Sequence, residues 1–579
     1  MTLLLAVLPW AAWGQYYDFE AMVPSGQTLR FNRVDGGAEV TFQNPVYMGG
    51  LAYDNMSGRL ELPNRVFDGS DSLTLVGVGF QALHYCINLR TVVIPDSVRY
   101  IGQQAFVQCL YMDTLRIGAG VESIGYGAFA MCIFRNAIEV DPRNTAYDSR
   151  DSCNAIISTL GDTLVQGCRT TVIPPSVRHI GATAFQSIRL PDGFTVPDGV
   201  VSIGERAFSG CHVSAMALPN SVDSIADDAF AAAEFISFNM GEGVRHIGKE
   251  AFRACWHLTE LTIPRSVRHI GNDAFSGCQA LQTVHFDADS CAVTGSVFFG
   301  FDHSAFRDCD ALHTLTLGDS VRYLPEYMFY NLAGVETVSL PTSLRRVADH
   351  AFTGCTGLRR VDYGGTLAAW CSIDFGEESN PLIYGHHLYL DSMLLTSITP
   401  DDSLPAVGRF SMAGCTDIDV ADLPGDLHEV GFGAFMGCTA LQNMTVDSGT
   451  AFGIHALGGC SALQRIDSRA THPAAAGAEA FDGVDPEVPV YIPHGSRERY
   501  LTAWAPLWNF IEDEEPQCID EAETPRLTLQ DGVVSADGAW LEVYDTMGRR
   551  IGIGRQVRLP QAGVYIVRVG GFTYKVMAL

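Results

Sequence analysis

The sequence predicts a repeat solenoid of short parallel strands closed by 3₁₀ or helical turns, followed by a C-terminal all-β sandwich. Three observations carry this reading. The stretch "LTIPRSVRHIGNDAFSGC", beginning at Leu261, restates a phrase already present at Ile94 and repeated in decayed form along most of the chain. Aligned on its phenylalanine, the phrase falls at Phe106, Phe129, Phe185, Phe208, Phe230, Phe252, Phe275, Phe306, Phe329, Phe352, Phe435 and Phe481, with Leu83, Met412 and Leu457 in weaker copies. Most intervals are 22 or 23 residues, a period that suits one coil per repeat. Beyond Phe481 the phrase stops, and in the last residues short alternating segments with glycine-bearing turns take over, the pattern of a small sandwich.

Each position of the phrase has a physical job. Leu258, Leu261 and Ile263 alternate with polar residues, which suits a short strand paired to its copy in the next coil. Pro264 ends that strand, because it has no N–H for the ladder. Val267 and Ile270 return to the core, and Gly271 marks a tight bend. "NDAFSGC" predicts a helical or 3₁₀ turn that buries Ala274, Phe275 and Cys278. One coil cannot cover its own apolar edge, so each coil needs neighbours.

Eleven of the 16 cysteines share the last phase: Cys86, Cys109, Cys132, Cys211, Cys255, Cys278, Cys309, Cys355, Cys415, Cys438 and Cys460. Coils about 4.8 Å apart hold stacked Cβ atoms beyond the roughly 3.8 Å of a disulfide. No CxxC pair offers a zinc site. The column is expected to be free, buried thiols acting as small hydrophobes.

The phrase "L..L.IP.SV..IG..AF..C" resembles the BspA-type leucine-rich repeat of bacterial surface proteins, over roughly Leu60 to Pro493. The resemblance implies a right-handed solenoid with parallel strands on one face and a role in adhesion to proteins.

The ends and interruptions follow. Residues 1–14 read as a signal peptide: Leu3 to Trp13 is apolar but too short for a bilayer, and Ala12 and Gly14 are small where a signal peptidase reads. A buried N-terminal strand is the plainer alternative. Residues 15–59 read as a β cap, with a hairpin signal at Asp35-Gly36-Gly37. The solenoid spans 60–493, with insertions near 138–172, 287–302 and 364–400. In the first, a hairpin turning at Leu160-Gly161 sets Cys153 opposite Cys168, either as a disulfide or as two buried thiols. The third holds Trp370, Cys371 and His386-His387. Residues 494–511 form a C-terminal cap and the acidic, proline-bearing 512–525 a linker. Residues 526–579 carry "VYD..GR", "L..GVYIVRV" and a lysine before the final apolar residues. This tail resembles the C-terminal sorting domain of type IX secretion cargo in Bacteroidetes. That resemblance implies engagement of the secretion machinery, cleavage of the tail, and a protein at the cell surface or outside the cell.

Composition and motifs exclude several function classes. Lys and Arg number 37 against 66 Asp and Glu, a formal charge of −29, which disfavours nucleic acid and anionic lipid. No later segment is apolar enough to cross a membrane. There is no GxSxG, HExxH, P-loop or EF-hand loop. "GVGFQA" at Gly77 is a repeat phrase without a βαβ unit around it. Neighbouring His386 and His387 point apart on a strand. No enzyme, cofactor or metal is expected.

One outward column stands out: Arg99-Tyr100, Arg178-His179, Arg245-His246, Arg268-His269, Arg322-Tyr323 and Arg345-Arg346. Stacked on a solenoid, these form a basic, partly aromatic stripe able to dock an anionic glycan or an acidic protein segment. The plainer reading, and the favoured one, lays each arginine over the coil edge against nearby acids. The strand face presents Val93, Arg116, Ala217, Thr262, His285, Thr316, Ser339 and Thr445, without an aromatic ladder. The expected function is an exported, non-enzymatic protein presenting an extended surface to protein partners. Glycan capture through the stripe or the Trp370 insertion is the alternative.

Overall fold

The computed structural model describes residues 17–42, 52–53, 56–293, 297–298, 301–302, 304–399, 404–447, 449–513, 527–536, 540–569 and 572–578. The signal peptide read at 1–14, most of the acidic linker and part of the 287–302 insertion lie outside them. The chain forms two compact units, residues 1–512 and 513–579.

In the first unit every regular coil contributes to three parallel columns. The long strand Glu260–Ile263 pairs in register with Thr283–Phe286, then Thr314–Leu317, Thr337–Leu340, Arg360–Tyr363 and Leu388–Leu390. Its Leu261 and Ile263 are buried and its Glu260 and Thr262 exposed, as period-2 alternation requires. A second ladder runs through the "HI" of the phrase, where His246–Ile247 pairs with His269–Ile270. Two residues are too few for alternation to be visible in sequence.

The third column replaces the expected helical or 3₁₀ turn. Among the described residues no helix covers an "AF..C" phrase. Glu250 and Ala254 are left-handed, at φ 53° and 58°. The N–H groups of Glu250, Phe252 and Ala254 reach forward to the carbonyls of Asn272, Ala274 and Ser276 at 2.9, 2.7 and 2.7 Å, while Cys255 N–H turns back to Phe252. A helix would bond its N–H groups to its own preceding turn and leave none for the neighbouring coil. The left-handed site two residues after the phenylalanine is glycine in several coils, among them Gly210, Gly277, Gly354 and Gly437, which explains the recurrent "GC". Gly271 has a different reason from the bend expected of it. A Cβ there would sit 2.5 Å from the Lys249 nitrogen of the preceding coil, so the position is set by close approach.

The phenylalanines stack. Ring centroids lie 5.1–5.3 Å apart from Phe185 through Phe208, Phe230 and Phe252 to Phe275, close to the coil spacing and in an offset geometry. The eleven column cysteines are free and buried. They are also polar links: Cys255 Sγ donates to Phe230 O, Cys278 to Phe252 O and Cys309 to Phe275 O, each at 3.2 Å, and Cys132, Cys355, Cys438 and Cys460 repeat the bond at 3.0–3.2 Å. Each of these thiols thus ties its coil to the carbonyl of the preceding coil's phenylalanine position.

Two insertions are absorbed into the stack. In 364–400, Asp374–Phe375 extends the short ladder from Arg346–Val347, and Leu388–Leu390 extends the long one. Trp370 is fully buried and donates Nε1 to Ser411 O at 2.7 Å. In 138–172, the hairpin of Ile156–Ser158 and Thr163–Gln166 joins the short ladder through His179–Ile180. A bulge between Ile156 and Ile157 shifts the register by one. The expected facing of Cys153 and Cys168 is therefore lost: Cys168 Sγ donates to Asn154 O at 3.3 Å, Cys153 donates to Ala155 O, and both are free thiols.

The ends of the stack are closed. The N-terminal hairpin of Thr28–Val34 and Gly37–Thr41 turns at Asp35-Gly36 and adds to the short ladder beside Ser72–Val78. At the other end Val490–Ile492 and Phe510–Glu512 close a second long ladder that begins at Ser397–Ile398, and the helix Arg497–Ala503 packs over it. The second unit holds a three-stranded and a four-stranded antiparallel sheet around Val534, Leu541, Val543, Val557 and Val567. Its "YDTMGR" turn is built on Asp545, which accepts from Met547 N–H, Arg549 N–H and Arg549 Nε at 2.9 Å each. Among the described residues no helix is long and apolar enough to cross a membrane.

Candidate binding surfaces

The long ladder presents two outward columns. One runs Glu260, Thr283, Thr314, Thr337, Arg360; the other runs Thr262, His285, Thr316, Ser339, Asp362, Tyr389. Their floor is the buried row from Leu261 to Leu388, so the hydroxyls are carried on a rigid, evenly spaced frame. Charges on this face are internally balanced. His285 meets Glu260 at 3.1 Å, and Arg116 meets Glu139 at 2.9 Å.

Two tyrosines on this face escaped the sequence reading. Arg360 forks to Asp362 at 2.6 and 2.7 Å and lies 4.0 Å over the Tyr389 ring. Arg465 forks to Asp467 at 2.7 Å twice and lies 3.9 Å over Tyr491. Both tyrosines sit in coils where the repeat phrase has decayed, and the signal that could have found them is the shared "R-[VI]-D" one strand earlier.

The expected stripe is interrupted. Register places His179, Ser202, Ser224, His246, His269 and Ala292 in one column, so serines separate the first histidine from the others. Tyr100 belongs to another sheet and donates to Glu39 of the N-terminal cap at 2.7 Å. Tyr323 stands beside Arg346, which meets Asp374 at 3.4 Å. Arg322 forks to Asp289 at 2.8 and 3.1 Å, and Arg245 meets Asp223 at 3.5 Å. Arg268 and Arg345 donate to backbone carbonyls of their own coil, and Arg268 also to Asp289 O of the next at 3.2 Å; Arg99 and Arg178 are exposed. His246 and His269 stack at 4.5 Å with 7° between planes. Burial and the neighbouring His246 hold His269 below its ordinary pKa.

The remaining chemistry is quiet. Burial pushes the thiols of Cys211, Cys355 and Cys460 up to about 12, which removes the thiolate a nucleophile needs. His386 Nδ1 meets Gly414 O at 2.9 Å and His387 Nδ1 meets Asp417 at 2.7 Å. Burial also denies Trp370 to any sugar, which corrects its proposed part in glycan capture. Among the described residues no three of His, Cys, Asp or Glu gather to hold a metal.

The family model for the BspA type leucine rich repeat region matches residues 72–153, 178–302, 296–375 and 384–484. Comparison with curated proteins finds no match. Among solved structures, a leucine-rich repeat protein from Bacteroides ovatus is 19% identical, covering 84% of this chain and 98% of its own, with a TM-score of 0.36. A leucine rich cell surface protein from Faecalibacterium prausnitzii is 19% identical over 60% of this chain and 96% of its own, TM-score 0.28. The pneumococcal vaccine antigen PcpA is 13% identical over 63% and 100%, TM-score 0.32.

Proposed function

Because this chain belongs to the BspA-type leucine-rich repeat family, we propose that it is an exported, non-enzymatic protein whose outward strand face binds protein partners at the cell surface. The observation that carries this reading is the continuity of the two outward columns over the strands from Glu260–Ile263 to Leu388–Leu390. Such a face offers many weak, evenly spaced contacts, which suits an extended partner better than a small substrate. The test is steric. Thr316→Arg with Ser339→Arg places bulk at the middle of the face without touching the core. Affinity for a captured surface-protein partner is expected to fall at least tenfold, about 1.4 kcal/mol, with an unchanged melting temperature. Equal binding by the double variant, or retention by glycans alone, would sink the reading.

The second unit serves, in this proposal, as an address. Its turn on Asp545 and its own core support a domain that folds without the solenoid. Deleting residues 526–579 is expected to leave the solenoid folded but held in the periplasm of its native host, as cell fractionation would show. Normal surface display of the truncated protein would refute the sorting role.

A further inference from the structure

Among the described residues the ladders are interrupted more than once, again between Phe375 and Ala406, but at one place the core divides as well. The long ladder that starts at Ser57–Glu61 ends at Ala137–Val140, and the short ladder that starts in the N-terminal cap ends at Ser123–Ile124. The phenylalanine column breaks too. Phe129 stacks on Phe106 at 5.3 Å, but on its other side the hairpin brings Gly167, which lies flat against the Phe185 ring. The core divides with them. Buried side chains from Phe19 to Val140 form one cluster and those from Ile173 to Phe510 another. The strand Ile156–Ser158 is the wall between: Ile156 belongs to the first cluster, Ile157 to the second.

The wall fits loosely. A cavity of about 170 Å³ lies between Gly125–Phe129 and Thr163–Gln166. The coil before donates Gln104, Phe106 and Gln108 N–H forward at 2.8–3.1 Å. The equivalent Gly127 and Phe129 N–H groups face the seam with no acceptor among the described residues. Buried N–H groups without protein partners carry an unmet desolvation cost, so this interface is held less tightly than one between regular coils. Among the described residues the side-chain bonds here include Tyr126 OH to Glu205 Oε1 at 2.7 Å and Tyr147 OH, which accepts from Ile124 N–H at 3.0 Å, while Asn144 Nδ2 ties the hairpin to Gly118 O and Val121 O at 3.0 Å each.

We propose that the solenoid is hinged at the 141–172 hairpin, which opens locally while the coils on both sides stay folded. Opening exposes only the loosely filled cavity and the hairpin wall, so it costs far less than separating two regular coils. The hinge sets the angle between the coils before Val140 and those after Ile173.

Hydrogen exchange on the full chain tests this. Amides of 123–131 and 163–167 are expected to exchange at least a hundredfold faster than those of 246–255, which occupy the same columns in unbroken stack. Tyr126→Phe should speed seam exchange about tenfold and leave 246–255 unchanged. Tyr100→Phe, which removes a similar bond to Glu39, should not alter the seam. Val165→Leu, which places an extra methylene into the cavity, should slow seam exchange severalfold. Seam amides as protected as 246–255, or a Tyr126→Phe effect spread evenly over the solenoid, would overturn the hinge.

Discussion

Replacing Phe252 with alanine is expected to destabilise the solenoid by about 3–5 kcal/mol, the range for emptying a buried phenylalanine site. The ring is fully buried and stacked on both sides, against Phe230 at 5.1 Å and Phe275 at 5.3 Å. Phe238 meets it edge-on at 5.0 Å. The void cannot close by side-chain movement, because the backbone around it is pinned at coil spacing by the Phe252 N–H bond to Ala274 and by the Cys278 thiol on Phe252 O. In a stack where stability is a sum of nearest-neighbour interfaces, one lost ring weakens two interfaces at once. Urea unfolding followed by circular dichroism would read the change. Phe80→Ala, at a ring about half exposed, is the control and should stay within about 0.5 kcal/mol. A Phe252→Ala midpoint equal to that control would show that the column fills space without carrying the stack.

Much of this was legible because a repeat repeats its errors and its rules alike. The phenylalanine and cysteine phases, the buried Leu261 and Ile263, and the hairpin at Asp35-Gly36 follow from periodicity and turn chemistry alone. What escaped lies where geometry between coils, rather than pattern along the chain, decides. The forward N–H bonds of the "AF..C" segment join residues 22 apart, which no local propensity encodes, so a helical turn was the natural but mistaken reading. The bulge at Ile156 moved Cys168 from Cys153 to Asn154, a one-residue shift without a sequence mark. The arginine column was visible, but whether it stays free depended on acids such as Asp289 and Asp223 arriving from other coils.

Trp504→Ala is expected to cost about as much as Phe252→Ala and to change the state of assembly as well. Phe481 is the last ring of the column, and no coil follows it. Trp504 takes the place of the missing neighbour: it lies 5.7 Å from Phe481, 5.3 Å from Phe452 and 4.9 Å from Tyr500, and donates Nε1 to Ala474 O at 3.1 Å. It is almost fully buried. Tyr500, on the capping helix, donates to Ala470 O at 2.8 Å and is itself buried. Removing the indole unseats the helix and with it the closing strand Phe510–Glu512, which leaves Val490–Ile492 as an edge with unpaired backbone groups. A parallel-ladder edge of that kind is a template for another chain, and repeat proteins need their caps to stay soluble. Light scattering during a thermal ramp should therefore show Trp504→Ala associating at a temperature where the parent protein remains monodisperse. Trp508→Ala, at a half-exposed side chain in the same segment, should leave both the midpoint and the scattering unchanged. If Trp504→Ala melts and scatters like Trp508→Ala, the stack is closed by the strand pairing alone and the indole is not its terminal ring.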